Sequence, residues 1–275
     1  MHKYRIATYN VHKCVGLDRR CKPARIAEVL QEIKPDVVGL QEVLSIENGS
    51  KEQHQAEFLA SELGMHLAMG DVRQLRGGLY GNAVLSRFPV RAFCRFDLSV
   101  PGREQRGCLR SDILLPGGEV LHLFNVHLGT DFMERRHQAR KLVEHELIRS
   151  RDLEGPRIVL GDFNEWIPGL ASQLLRAEFT SADIRLHLRP GRTYPGVFPV
   201  LHLDHIYYDD DLIVEHVALR RSLKALIASD HLPLYADFVL RSEAAAEADE
   251  SAAESGSKLD ADDRSGARAT SRHTG

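Results

Sequence analysis

Short runs of β-branched and aliphatic residues recur along the whole chain. Five of them lead directly into an amide, a carboxylate or an imidazole: Tyr9-Asn10, Leu40-Gln41-Glu42, Asn125-Val126-His127-Leu128, Gly161-Asp162-Phe163-Asn164 and Ser229-Asp230-His231. Runs of this kind are the signature of buried strands. A strand that ends in such a residue delivers it to a sheet edge, where loops can enclose a pocket. Five deliveries spread over the chain point to one constructed site.

Helical spacing lies between the runs. Pro23 to Ile33 carries Ile26, Val29, Leu30 and Ile33 at i, i+3, i+4 and i+7, and Gln55 to Leu63 repeats the spacing through Ala56, Leu59, Ala60 and Leu63, with Gly64 as its cap. Helices are also expected over Glu134 to Ile148 and Leu170 to Ala177. Strands are expected at Tyr4–Tyr9, Val37–Gln41, Asn82–Leu85, Leu109–Leu115, Val120–Val126, Ile158–Gly161, His205–Tyr208, Leu212–Leu219 and Leu234–Leu240. Pro116-Gly117-Gly118 turns the fifth of these into a hairpin with the fourth. Several neighbouring strands lack an intervening helix, so the sheet is mixed rather than purely parallel. Nine strands in one domain are many for one open sheet. The expected class is therefore α/β of the α+β type: two packed mixed sheets with helices outside.

Composition changes after Arg241. Residues 242–275 are rich in Ala, Ser, Asp and Glu, with Leu259 as the one large aliphatic, and cannot bury enough surface to offset the entropy of ordering. We read 1–241 as one domain and 242–275 as a disordered acidic tail. The formal net charge is -3, which argues against a protein that grips nucleic acid mainly by charge. Cys14, Cys21, Cys94 and Cys108 form no Cys-x-x-Cys pair, which speaks against a structural zinc site. They read as reduced, partly buried thiols. No apolar leader precedes Tyr4, and no run approaches the ~18 apolar residues of a membrane span. The expected location is cytoplasmic, and the expected state is a monomer.

The polar residues have a coherent chemistry. Glu42 closes so apolar a strand that burying it unpaired would be costly, and a metal resolves that cost. The amide oxygen of Asn10 can bind a cation or a metal-bound water, although Asn is also a common turn residue. Glu42, Asp162 and Asp230 are hard oxygen donors that suit Mg²⁺ or Mn²⁺. Asp162 and Asn164 are two apart and share a face if the stretch is extended, where an acid can take a proton from water while an amide donates to phosphate. Asn125 and His127 likewise share a face. Asp230 can serve a metal while His231 faces a phosphate. Asp204 can accept a hydrogen bond from a catalytic imidazole and fix its tautomer. Arg103 and Arg106 lie in a polar loop and can clamp a phosphate, a solvated loop being the plainer alternative. His145-Glu146 is no zincin motif, because Arg149 follows where a histidine is needed.

In this order, the segments resemble the endonuclease/exonuclease/phosphatase superfamily, the DNase I-like metal-dependent fold. The resemblance spans Tyr4 to Phe238. It includes Gly81-Asn82-Ala83-Val84-Leu85-Ser86-Arg87, and it is closest to small bacterial members that share Thr8-Tyr9-Asn10-Val11-His12-Lys13 and Gly161-Asp162-Phe163-Asn164-Glu165-Trp166. It implies a four-layered sandwich. It implies Mg²⁺ held by Asn10 and Glu42 with Asp230 beside them, Asp162 and Asn164 positioning the nucleophile and the scissile phosphate, and His231 moving protons with Asp204 behind it. Abasic-site nucleases of the family usually carry Tyr at the position of His127, whereas the DNase I and sphingomyelinase branches carry His. Arg103 matches a phosphate-contacting arginine of the DNase I branch.

The expected activity is Mg²⁺-dependent hydrolysis of a phosphodiester by in-line attack of water. The substrate class stays open between nucleic acid and a phospholipid headgroup, with Phe198-Pro199-Val200-Leu201 as a faint apolar loop for the latter. The general base stays open between Asp162 and the His231–Asp204 pair, and so does one metal against two. A non-catalytic phosphate- or nucleic-acid-binding module on the same fold is the alternative. The absence of Gly-x-Ser-x-Gly argues against an unrelated α/β hydrolase.

Overall fold

A computed structural model describes residues 2–46, 49–75, 77–144, 148, 153–165, 169–182, 193–195 and 201–246. Among the described residues, twelve strands form two six-stranded mixed sheets. In chain order they are β1 (Tyr4–Asn10), β2 (Val37–Ile46), β3 (His66–Leu75), β4 (Gly78–Ser86), β5 (Val90–Asp97), β6 (Gly107–Leu114), β7 (Val120–His127), β8 (Arg157–Asp162), β9 (Thr180–Ser181), β10 (Asp204–Tyr208), β11 (Leu212–Leu219) and β12 (Leu234–Leu240). The described helices are α1 (Pro23–Ile33), α2 (Gln55–Leu63), α3 (Phe132–Glu144), α4 (Leu170–Arg176) and α5 (Leu223–Ala228). The strand orders are β11-β12-β1-β2-β4-β3 and β5-β6-β7-β8-β10-β9.

Each sheet contains one parallel pair, β1 with β2 and β7 with β8, and antiparallel neighbours around it. The parallel pairs need crossovers, which α1 and α3 supply. Consecutive strand residues face different layers. Ile6, Val37, Leu123, Ile158 and Leu160 enter the core between the sheets. Ala7 and Val38 pack under α1, α2 and α5, whereas Phe124 and Val159 pack under α3 and α4. The four layers are therefore helices, sheet, sheet and helices. Burial on both faces is why these strands read as unbroken apolar runs.

An amide network stitches the sheets together. Asn125 Nδ2 donates to the carbonyls of Leu40 and Ala83, each at 2.9 Å, and Gln41 Nε2 donates to Asn125 Oδ1 at 2.7 Å. Asn82 Nδ2 donates back to the carbonyls of Gly107 and Asn125. Gly39 lets the layers approach, since a Cβ there would lie 2.3 Å from Leu160 Cδ1.

Several boundaries differ from expectation. β2 does not stop at Gln41 but continues to Ile46 across a register shift between Leu40 and Val43. Glu42 therefore sits on a bulge, with φ of 57°, rather than at a strand end. Helix α3 begins at Phe132 because Asp131 Oδ1 accepts from the amides of Met133 and Glu134. The expected end of that helix, with His145 and Glu146, falls partly outside the described residues, as do Trp166 and the loop at 198–200. Residues 241–246 are helical rather than tail. Glu243 anchors them by accepting from the His2 amide at 2.8 Å and the Tyr4 hydroxyl at 3.2 Å. The tail from 247 onward lies outside the described residues. The four cysteines are free, with Cys14 and Cys108 buried and Cys21 and Cys94 exposed. No helix among the described residues is long and apolar enough to cross a membrane.

Candidate active site

The two parallel pairs deliver their carboxyl ends to one edge of the sandwich. Asn10 lies in register with Gln41, and His127 with Asp162, while Asp204 opens β10 directly opposite Asp162. Close packing of β7 on β8 fixes Asp162. Gly161 has φ of 143°, and a Cβ there would lie 1.9 Å from the Val126 carbonyl oxygen.

Asp162 is buried at the centre. Its Oδ2 accepts from Asn10 Nδ2 at 3.0 Å and lies 3.6 Å from His127 Nε2 and 3.7 Å from His231 Nε2. Burial, with Asp204 nearby, raises its carboxyl despite the opposing pull of His231. The second imidazole nitrogen of His231, Nδ1, meets Asp204 Oδ2 at 2.9 Å. Burial works to lower the His231 pKa, but Asp204 and Asp162 outweigh it and lift the group to about 10. The tilted ring of Tyr194 lies over His231, with centroids 4.9 Å apart.

His127 is shifted the other way. Burial, together with the nearby Arg106 guanidinium, pushes it down to about 3, so it is neutral at physiological pH. Arg106 Nη1 approaches His127 Nδ1 at 3.4 Å. A guanidinium only donates, so Nδ1 is the acceptor and the proton sits on Nε2, facing Asp162. Arg106 is itself only 6% exposed and is held by Glu104 at 2.8 Å. Arg103 is half exposed and faces Asp131 at 3.6 Å.

Glu42 receives Asn10 Nδ2 at 3.3 Å and the ammonium of Lys13. Burial works to raise its carboxyl, but the Lys13 ammonium and the Asn10 amide more than reverse this and hold it below the usual carboxylate range. Lys13 occupies the middle of a left-handed turn in which His12, Lys13 and Cys14 have φ of 45°, 56° and 54°. Three such non-glycine residues in a row are costly, and strain of this kind concentrates at functional sites. Asp230 faces His12 Nδ1 at 3.4 Å and is tied to Asn10 through Ser229, whose hydroxyl donates to the Asn10 carbonyl at 2.8 Å.

The stretch after β8 is turned rather than extended. Asn164 has φ of 49°, its amide donates to Asp162 Oδ1 at 2.9 Å, and its Nδ2 donates to the Leu128 carbonyl at 2.9 Å. The turn, not strand alternation, sets Asn164 beside Asp162. Asn10 presents its amide nitrogen to Glu42 and Asp162, as two facing anions require.

The structure thus joins Asn10, Glu42, His127, Asp162, Asn164, Asp204, His231 and Arg106 through direct contacts, with Asp230 attached through Ser229. Lys13 stands in a family-like motif that gave it no role of its own, and Tyr194 carried no signal in the sequence. The strained His12–Cys14 turn left no compositional trace, and Tyr194 reaches His231 from a stretch without periodicity.

Among the described residues no three His, Cys, Asp or Glu side chains close on one point as a metal cage. The donors still fit a hard divalent cation. Mg²⁺ commonly takes one or two carboxylates and leaves its other positions to water and substrate phosphate. Glu42 offers an ionised carboxylate that already holds a cation, the Lys13 ammonium.

Residues 7–231 match the Endonuclease/Exonuclease/phosphatase family. The chain is 34% identical over 249 residues to YbhP of Escherichia coli (strain K12), described as an uncharacterized protein, covering 86% of this chain and 96% of YbhP. The endonuclease/exonuclease/phosphatase of Bacteroides vulgatus has a TM-score of 0.71 at 19% identity, covering 88% of this chain and 100% of that one. The mannosyl-6-phosphatase Bt3783 of Bacteroides thetaiotaomicron VPI-5482 has a TM-score of 0.70 at 19% identity, covering 86% and 100%. At these identities the two solved structures speak for the fold.

Proposed function

Because the chain belongs to the Endonuclease/Exonuclease/phosphatase family, we propose that it is a Mg²⁺-dependent phosphodiesterase, with Mn²⁺ able to substitute. The observation that carries this reading is Asp162 set between two imidazoles, one backed by Asp204, beside the Glu42–Lys13 pair. Glu42 would hold the cation, with Asn10 turning its amide oxygen toward it and Asp230 alongside. When bound, the cation supplies charge neutralisation at the phosphoryl oxygens.

The protein's own groups account for the rest. Asp162 orients a water and takes its proton as the water oxygen bonds to phosphorus and the opposite P–O ester bond breaks. His231, held protonated by its two carboxylates, gives its Nε2 proton to the departing alkoxide oxygen, and the proton that Asp162 took from water restores it. His127 Nε2–H and the Asn164 amide donate to the non-bridging oxygens. Arg106 fixes the His127 tautomer and, with Arg103, adds positive charge for substrate. Action in the cytoplasm as a monomer belongs to the same proposal.

Nucleic acid and phospholipid headgroups are the diester classes to separate, and the mannosyl-6-phosphatase likeness adds sugar phosphates to the panel. The purified chain should be assayed on plasmid DNA, sphingomyelin, glycerophosphodiesters and hexose phosphates, each with Mg²⁺ and with EDTA. Turnover of a diester that EDTA abolishes is the expected result. A folded protein inert on the whole panel would instead be a phosphate- or nucleic-acid-binding module on this fold.

A further inference from the structure

Among the described residues, six large apolar side chains are exposed: Leu17, Phe93, Phe132, Met133, Leu223 and Ile227. Single exposed apolar residues are ordinary on a folded protein, but five of these six gather at the catalytic edge. Leu17 lies in the segment that follows β1 and Asn10, whereas Phe132 and Met133 open α3, which follows β7 and His127. Leu223 and Ile227 belong to α5, which precedes Asp230, His231 and the start of β12, where Leu234 pairs with Thr8 of β1. Phe93 stands apart, in the middle of edge strand β5.

The five form two patches, one carried by each sheet. Leu223 and Ile227 are one helical turn apart and share a face. The turn at 16–20 is seated against the end of the same helix. The Leu17 amide donates to the Ile227 carbonyl at 3.1 Å, and a Cβ at Gly16 would lie 2.4 Å from that oxygen. This patch adjoins the contact between Asp230 and His12. The second, Phe132 with Met133, adjoins the loop whose Leu128 carbonyl accepts from Asn164. At 74% and 66% exposure, Leu223 and Met133 project outward instead of lining a groove.

Charge surrounds the first patch. Arg19, Arg20 and Lys22 are exposed and make no ion pair among the described residues. The acids nearby are already taken, Asp18 by Arg25 at 2.6 Å and Glu28 by Lys224 at 2.7 Å. A partner protein would need a surface shaped to two separate projections. A nucleic acid would gain little from aliphatic side chains. An anionic lipid surface accepts both features, because it takes up projecting apolar groups without a matched shape while its phosphates attract the cations.

We infer that the catalytic edge docks on an anionic lipid surface. Leu17, Leu223, Ile227, Phe132 and Met133 enter the interface, and Arg19, Arg20 and Lys22 lie against the headgroup phosphates. Docking goes beyond the phosphodiesterase reading and does not depend on it, because it needs no turnover.

The test is co-sedimentation of the full chain, in EDTA, with vesicles of phosphatidylcholine alone and of equimolar phosphatidylcholine and phosphatidylglycerol. The wild type should bind the anionic vesicles about tenfold or more tightly than the neutral ones, and added salt should weaken that binding. Arg19→Gln with Arg20→Gln should weaken it about tenfold. Leu223→Ser with Ile227→Ser, and Phe132→Ser with Met133→Ser, should each cost a similar factor, about tenfold. The three pairs stand on separate elements, so one that fails to fold leaves two to decide. Phe93→Ser, away from the edge, should bind as the wild type does. A wild type that binds neither vesicle, or a Phe93→Ser loss as large as that of the edge variants, overturns the inference. So does a dimer, seen by light scattering, that Leu223→Ser with Ile227→Ser dissolves. Duplex DNA bound more tightly than the anionic vesicles, and released by the arginine pair, overturns it as well. A chain that binds vesicles but hydrolyses no diester upholds docking and removes the phosphodiesterase reading. One that hydrolyses diesters but binds no vesicle does the reverse.

Discussion

The His231 imidazole meets a carboxylate at each nitrogen, Asp204 at 2.9 Å and Asp162 at 3.7 Å. Its pKa rises from 6.5 to about 10 in the fold. A group raised on folding binds its proton more tightly in the native state. Its stabilisation is full below pH ~6.5 and is lost as pH rises through about 10. Thermal melts in EDTA should therefore show wild-type stability falling between pH 7 and 10.5, with a shallower fall in His231→Gln. Parallel curves for the two proteins would contradict the assignment. At this scale much was legible. An acid closing the run Val37 to Gln41 singled out Glu42, and Asp204 beside an imidazole partner was readable from the need for a tautomer-fixing carboxylate. Lys13 and Tyr194 were not, because their roles come from backbone conformation and loop placement. The inward turn of Arg106 onto His127 was equally hidden, since a polar loop looks the same in sequence whether it faces water or the site.

The elements that hold the site are the two parallel pairs and the bulge in β2. Between β7 and β8 there is no room for a side chain at Gly161. Gly161→Ala combines an unfavourable φ with a Cβ against the Val126 carbonyl oxygen, and the cost expected is roughly 2–5 kcal/mol. Urea unfolding should register that loss, and turnover should fall with it because Asp162 is the next residue. A variant as stable and active as wild type would show that this packing does not position the site. Central strands and the longer helices were readable because burial on both faces, or on one helical stripe, leaves a pattern. Strands β3 and β5 left none. They are edge strands, and β5 is largely exposed along Val90–Asp97, so nothing required alternation. Helix α5 spans six residues, too few for a helical period to emerge.

The whole molecule is two similar half-sandwiches, each a β-strand, crossover helix and parallel strand, joined across a core and a set of buried amides. The sequence predicted the layers because so many strands in one domain favour two packed sheets over one. It placed the domain end too early, since the anchoring of Glu243 on His2 and Tyr4 has no apolar signature. A chain ending at Ala246 should melt within about 1 °C of the full chain, and one ending at Arg241 should melt lower by a few degrees, the scale of ~1 kcal/mol in a domain of this size. Equal melting of the two truncations would remove Glu243 from the fold. The central claim is that segments spread from Asn10 to His231 form one metal-dependent hydrolytic centre. Its most direct test is the rate of bis(p-nitrophenyl) phosphate hydrolysis by wild type and His231→Ala, each with Mg²⁺ and with EDTA. The account predicts wild-type turnover that EDTA abolishes and a loss of roughly 10²–10⁴-fold in the variant. Turnover indifferent to both EDTA and the substitution would contradict it.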